Sequence, residues 1–182
     1  MKSRSLYGFQ VLFSGGFKMN EKYTAKDILE MAIQAKAKGI DLYLSLAHNC
    51  SNYHVGKLFM ELAKDEQHDK MELTKWRNNE IFKKQEEAYP GERLMFLKSL
   101  ADQNTFNCDA VLKKRLENTI NEEDALKAGI NFEKDFMLFL HDLKRHLASK
   151  DSSVIDTLLD GEVNHIRRMF EIKDKIDKGL IN

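Results

Sequence analysis

The sequence contains a single proline, Pro90, and nine glycines in 182 residues. Long stretches therefore carry neither of the residues that most disfavour a helix interior. Cysteine is scarcer still: Cys50 and Cys108 form no CxxC pair, which excludes a disulfide framework and leaves reduced thiols of a cytoplasmic protein as the plain reading. Net charge is missing as well. Lys+Arg and Asp+Glu both number 29, so no global field draws the chain to nucleic acid or an anionic membrane. No apolar run approaches the ~20 residues that a membrane span needs.

What is abundant is charge of both signs, at 32% of residues against about 25% in an average globular protein. Together with 42% hydrophobic residues at helical spacing, this suits long amphipathic helices in one domain of ordinary size. Residues 1–22 stand apart. Lys2, Arg4 and the short apolar mix Leu6–Phe13 lack the length and the A-x-A site of a signal peptide. A disordered tail is expected there, or the product of an upstream start with Met19 as the true first residue. The domain is placed at 23–180.

The first helix begins at Thr24, a capping residue, and its stripe is Leu29, Ala32, Ile33, Lys36, Ile40, Tyr43 and Ala47. After a turn at Asn49–Asn52, a second helix runs from about Val55 into the high seventies. Its best stripe is Phe59, Leu62, Ala63, Glu66 and Leu73, with Asp69 on the same face. The neighbouring stripe Leu58, Leu62, Asp65, His68 collects fewer apolar residues. Residues 77–121 form a long connection broken at Tyr89-Pro90-Gly91, with shorter helices expected over Glu92–Gln103 and Cys108–Asn118. Asn121 caps a third helix with the stripe Leu126, Gly129, Ile130, Glu133, Met137, Leu140, Leu143. A turn near Ala148–Ser152 leads to a fourth, with Ile155, Leu158, Leu159, Glu162, His165, Ile166 and Met169, closed by Lys173–Lys178 and Gly179.

The chain repeats itself. Adding 97 to the first helix gives the third: Leu29 meets Leu126, Ile33 meets Ile130, Lys36 meets Glu133 and Leu46 meets Leu143. For the second helix the preferred offset is 96, which pairs Leu62 with Leu158, Glu66 with Glu162, Asp69 with His165 and Leu73 with Met169. An offset of 97 would instead pair Asp65 with Glu162 and His68 with His165, at the expense of setting Glu72 against Met169. Either way, two copies of one helical hairpin are expected to pack as a four-helix bundle.

Glu133 lies on the apolar stripe of the third helix. Glu162 and His165, three apart, share one face of the fourth. A carboxylate and a Glu-x-x-His can thus converge between two packed helices, which is half of a metal site inside a bundle. With these residues, and with the pieces AIQAKAKGIDLY, LAKDEQHDKMEL, AGINFEKDFMLFL, LLDGEVNHIRRM and GERLMFLKSLADQNTF, the chain resembles the rubrerythrin branch of the ferritin-like family over roughly residues 24–178. The resemblance implies an all-α, ferritin-like four-helix bundle made of two repeated hairpins, with a long crossover between helices two and three. It also implies a di-iron plan of one Glu from each of two helices and a Glu-x-x-His from each of the others.

Carried over residue by residue, Glu133, Glu162 and His165 match the family's ligands, and Glu66 matches the carboxylate of the second helix. Asp69 stands where the family has His and would be a weak metal ligand or proton carrier, while Lys36 stands where the family has a ligand Glu and would be a fixed positive charge near bound peroxide. Tyr43 keeps a tyrosine common in the family and is expected in core packing or in a hydrogen bond behind the ligands. The chain has no rubredoxin-like segment, so electrons would come from an external donor protein. The implied function is a non-haem iron protein of oxidative stress, an oxidoreductase that reduces peroxide or activates oxygen. It would hold one or two ions, with manganese or zinc as alternatives, and would be a homo-oligomer with no nucleic-acid or membrane partner. The other expectation is a metal-free or metal-storing bundle for assembly or partner binding, in which Lys36 supplies the positive charge itself. In both, the Lys36 nitrogen is expected within salt-bridge reach of Glu66, Glu133 or Glu162. Asp65 and His68 are expected at the edge of the site, Glu61 in solvent, and His48, His54, His141 and His146 at surfaces or helix ends. Trp76 and its basic neighbours read as a solvated helix end.

Overall fold

A computed structural model of the chain describes residues 25–78, 119–145 and 153–181. The tail before Ala25, the shorter helices expected in the connection, the cap at Thr24, the turn near Ala148–Ser152 and His146 all lie outside the described residues. Four helices make up what is described: α1 (Ala25–Asn49), α2 (Tyr53–Arg77), α3 (Glu122–Lys144) and α4 (Ser153–Asp177). No helix is long and apolar enough to cross a membrane among these residues.

Local chemistry sets the helix ends. Asn52 caps α2 by accepting from the His54 and Val55 amides at 2.9 and 3.2 Å. Asn121 caps α3 by accepting from the Asp124 amide at 2.8 Å, and Glu122, Glu123 and Asp124 favour the positive end of the helix dipole. At the far end of α4, Gly179 adopts φ 65, a conformation that a Cβ would strain. It donates to the Ile176 carbonyl while Leu180 donates to that of Lys175, which closes the helix as a Schellman motif.

Each hairpin packs most closely on itself, α1 on α2 and α3 on α4. The two halves then meet through α1 with α3 and α2 with α4. The turn between α1 and α2 is tied to the start of α3 by two backbone bonds, Ser51 to the Ile120 carbonyl at 3.2 Å and Ile120 to that of Asn49 at 3.0 Å. Ion pairs between Arg77 and Glu30 and between Lys144 and Asp156 join the ends of each hairpin.

Burial follows the repeat. Leu29, Ile33, Lys36, Tyr43 and Leu46 are buried, as are Leu126, Ile130, Glu133, Leu140 and Leu143. In α2 the offset of 96 holds, because Glu66 and Leu73 are buried with Glu162 and Met169. The offset of 97 fails: Asp65 and Glu72 are half-exposed and His68 exposed, while their partners would be buried. Some stripe members differ from expectation. Ile40, Ala47, Met137 and Ile166 are only half-buried, and Leu42, Phe132, Phe136 and Phe139 fill the interior. The buried face of α3 is thus wider than its apolar stripe. Trp76 is half-buried and packs against the core rather than standing in solvent.

Candidate metal centre

Every helix contributes to a polar cluster in the middle of the bundle. Lys36 comes from α1, Glu66 and Asp69 from α2, Glu133 from α3, and Glu162 and His165 from α4. The i, i+3 spacing puts Glu66 and Asp69 on one face of α2, and Glu162 and His165 on one face of α4. All but Asp69 are buried.

Lys36 lies at one side of the cluster. Its Nζ donates to Glu162 Oε1 at 2.5 Å, Glu66 Oε1 at 2.7 Å and Asp69 Oδ2 at 3.0 Å, and sits 4.6 Å from the centroid of the Phe136 ring. An ammonium has three donors, and all three are taken by carboxylates. None is left over to hold a small oxygen substrate. Burial opposes the charge of Lys36, but Glu162, Glu66, Asp69 and Glu133 outweigh it and hold the ammonium well above the ordinary lysine range.

His165 lies at the other side. Its Nδ1 is 3.0 Å from Glu133 Oε1, 3.3 Å from Glu162 Oε2 and 3.5 Å from Glu66 Oε1. Burial disfavours the imidazolium, yet the hydrogen bond to Glu133 and the neighbouring Glu162 carboxylate push the ring up to about 10. Burial and the neighbouring Glu162 and Glu66 push Glu133 well above the usual carboxylate range. Burial, countered by Lys36, brings Glu66 to about 7, whereas Lys36 overcomes burial at Glu162 and draws it down to about 2. Tyr43 donates its hydroxyl to Glu133 Oε1, and burial with that neighbouring carboxylate raises the phenol well above its ordinary value. Its ring stacks on Phe59 at 5.5 Å and meets Phe132 edge-on at 5.8 Å.

The donor set suits a single cation. Glu66, Glu133, Glu162 and His165 each offer a ligand atom, and these atoms all lie within 4.8 Å of one another. A first-row ion sits about 2.0–2.2 Å from each ligand, so opposite ligands stand about 4.2 Å apart, close to the spread already present. Glu66 Oε2, Glu133 Oε2 and Glu162 Oε2 are buried without a hydrogen-bond partner. Such an acceptor costs about 1–3 kcal/mol when nothing satisfies it.

The remaining candidates fall elsewhere. Asp69 pairs with Lys36 and lies outside the group of four, because a carboxylate three residues after Glu66 reaches the ammonium first. Asp65 sits at the rim, 3.7 Å from His165 Nε2, and is held by Arg168 at 2.7 Å. Arg168 also holds Glu61 at 2.7 Å, so Glu61 is paired rather than simply solvated. His68 is exposed and takes no part; nor do the exposed His48 and His141 or the half-exposed His54.

Sequence reasoning missed Gly39, Phe132, Phe136 and Arg168. Gly39 had a signal, since a glycine inside a helical pattern implies a close approach. A Cβ there would stand 2.7 Å from both Glu66 Oε2 and Phe132 Cζ. Gly39→Ala should therefore lose about 1 kcal/mol net in urea unfolding, as overpacking of about 1–3 kcal/mol outweighs about 1 kcal/mol of helix propensity. Gly161→Ala in α4, with open space around its Cβ, should instead gain up to about 1 kcal/mol.

A solved structure shares this arrangement of helices. The chain matches a crystal structure described as a ferritin-like diiron-carboxylate protein from Thermotoga maritima, with a TM-score of 0.68 over 86% of this chain and 98% of that one. The fold is ferritin-like. The two sequences are 23% identical, so the likeness establishes the fold alone. No protein-family model matches the sequence, and no curated relative matches it at a significant level.

Proposed function

We propose that this ferritin-like bundle is a rubrerythrin-like non-haem metal protein that binds iron through Glu66, Glu133, Glu162 and His165. The observation that carries the reading is the convergence of three buried carboxylates, each with one oxygen left without a hydrogen bond, on an imidazole nitrogen. Carboxylate and imidazole ligands suit iron, and manganese and zinc share that preference in part. Bound iron would supply the redox chemistry for reducing peroxide or activating oxygen. The protein's own contributions are distinct. Glu133 holds the Tyr43 hydroxyl and faces His165, so its carboxylate is fixed from two sides. Asp65, clamped by Arg168, faces the outer nitrogen of His165 and would keep Nδ1 turned inward. The chain offers no CxxC motif for electron storage, so reducing equivalents would come from an external donor protein. A homo-oligomer accords with the same family reading.

Elemental analysis of the purified chain after anaerobic loading with Fe(II) tests this reading. Iron should be retained through gel filtration by the unaltered protein and lost from Glu162→Ala, since that carboxylate touches both Lys36 and His165. The loaded protein should then consume peroxide when a chemical reductant is supplied.

A second reading has its own support. Lys36 and a charged His165 offset most of the charge on Glu162, Glu66 and Asp69, with Glu133 held towards its neutral form. A metal-free bundle used for assembly or partner binding is consistent with that balance. Absence of iron from the loaded, unaltered chain would select it.

A further inference from the structure

The two halves of the centre are related by the repeat, yet their charges are exchanged. In the second half, Glu133 on α3 faces His165 on α4 at 3.0 Å. The positions that correspond in the first half are Lys36, 97 residues earlier, and Asp69, 96 residues earlier. They also face each other at 3.0 Å. One half thus pairs a carboxylate with an imidazole, and the other pairs an ammonium with a carboxylate. The imidazole nitrogen and Glu133 can both turn lone pairs to a metal. The ammonium has no lone pair to give.

We propose that the Lys36 ammonium stands in place of a second metal ion, so that the bundle carries one cation built into its chain and binds one other. This rests on the metal-binding reading above and fixes its stoichiometry. Glu66 and Glu162 are shared between the two positions. Each gives its Oε1 to Lys36 at 2.7 and 2.5 Å, and each leaves its Oε2 buried without a hydrogen bond. Both also belong to the group that Glu133 and His165 complete, so they connect the resident cation to it. The ammonium is wholly buried, all its donors are engaged, and the Phe136 ring lies beneath it. It has no route to swing aside without leaving three carboxylates behind. A divalent ion entering on that side would meet a fixed positive charge at contact distance and would find Asp69 already paired.

The test is metal stoichiometry in the full chain. Unaltered protein, Lys36→Glu, and Lys36→Glu combined with Asp69→His are loaded anaerobically with Fe(II), passed through gel filtration and analysed for iron per chain. Circular dichroism verifies that each is helical. The unaltered chain should hold one iron, and the double variant, which rebuilds the second half's residues in the first, should hold two. If the rebuilt variants do not fold, Mn(II) loading of the unaltered chain still decides. Electron paramagnetic resonance should show the hyperfine pattern of an isolated ion. Two irons, or a spin-coupled manganese pair, in the unaltered chain would overturn the proposal while leaving the metal-binding reading intact. A helical double variant that still holds one iron would overturn it as well. No iron in the unaltered chain would remove the metal-binding reading and this inference with it.

Discussion

Replacing Lys36 with methionine should cost the metal-free protein about 3–5 kcal/mol at neutral pH, the range found when one partner of a buried ion pair is removed. Against a typical total of about 5–15 kcal/mol, that leaves a marginal fold. The reason is specific to this centre. Methionine restores most of the lysine stem's volume, so little packing is lost, but Glu66, Glu162 and Asp69 are left facing one another without their shared cation. Acid should narrow the gap between variant and parent. Without Lys36, the carboxylate of Glu162 loses the charge that draws it down, its folded value rises, and protonation relieves the repulsion. Urea unfolding of both proteins at several pH values between 4 and 8 measures this. A deficit that is the same at every pH would mean that lost packing, not lost charge, is responsible.

The second large effect concerns pH in the parent protein without metal. His165 has a folded value of about 10 against 6.5 unfolded, so its stabilisation is complete below pH 6.5 and is lost as pH rises through 10. Glu66 is raised from 4.5 to about 7, so the folded state binds its proton more tightly and loses relative stability as pH rises from 4.5 through 7. Glu162 runs the other way. It is lowered from 4.5 to about 2, and its contribution is present above pH 4.5 and lost as pH falls through 2. The three together place the optimum near pH 4.5 to 5. His165 and Glu66 touch at 3.5 Å, so their protons leave as a coupled pair and one broad loss of stability is expected between pH 5 and 10. Metal reverses the trend, because a ligating histidine must be neutral and a bound ion therefore displaces protons. Thermal melting across this range, with and without Fe(II) under anaerobic conditions, should show metal stabilising the protein most at the alkaline end.

Much of this centre was legible in the sequence because helical period and side-chain chemistry act locally. Glu133, Glu162 and His165 fall on apolar stripes, and a stripe in a bundle of four helices points inward. The same logic placed Lys36 inside, beside carboxylates, and its contacts with Glu66 and Glu162 match that expectation. The register of α2 was harder to read. Two stripes one residue apart differ by about 100° around the helix, and both contain acids. Packing against α4 resolves them by burying Glu66 and leaving Asp65 at the rim with Arg168. Asp69 illustrates a different limit. Its place on the inner face was readable, but whether it would serve a metal or the lysine depends on distances between helices. The aromatic wall of α3 was also hidden. Ala35 and Gly39 on α1 correspond, at an offset of 97, to Phe132 and Phe136 on α3, so small residues in one copy lie where rings stand in the other. A symmetric reading of the repeat conceals that complementarity.

The exchange of charge between the two halves has a consequence for symmetry. A bundle assembled from two identical hairpins would be bound by its own two-fold symmetry, with every residue appearing twice across the axis. Such a symmetric bundle could place two lysines or two glutamates at these positions, but never one of each. Two lysines would repel each other, and two glutamates would need ions from outside. Joined in one chain, the two copies escape that constraint: position 36 carries lysine while position 133 carries glutamate. The centre can therefore hold a cation in one half and a carboxylate in the other. The two hairpins are accordingly not interchangeable.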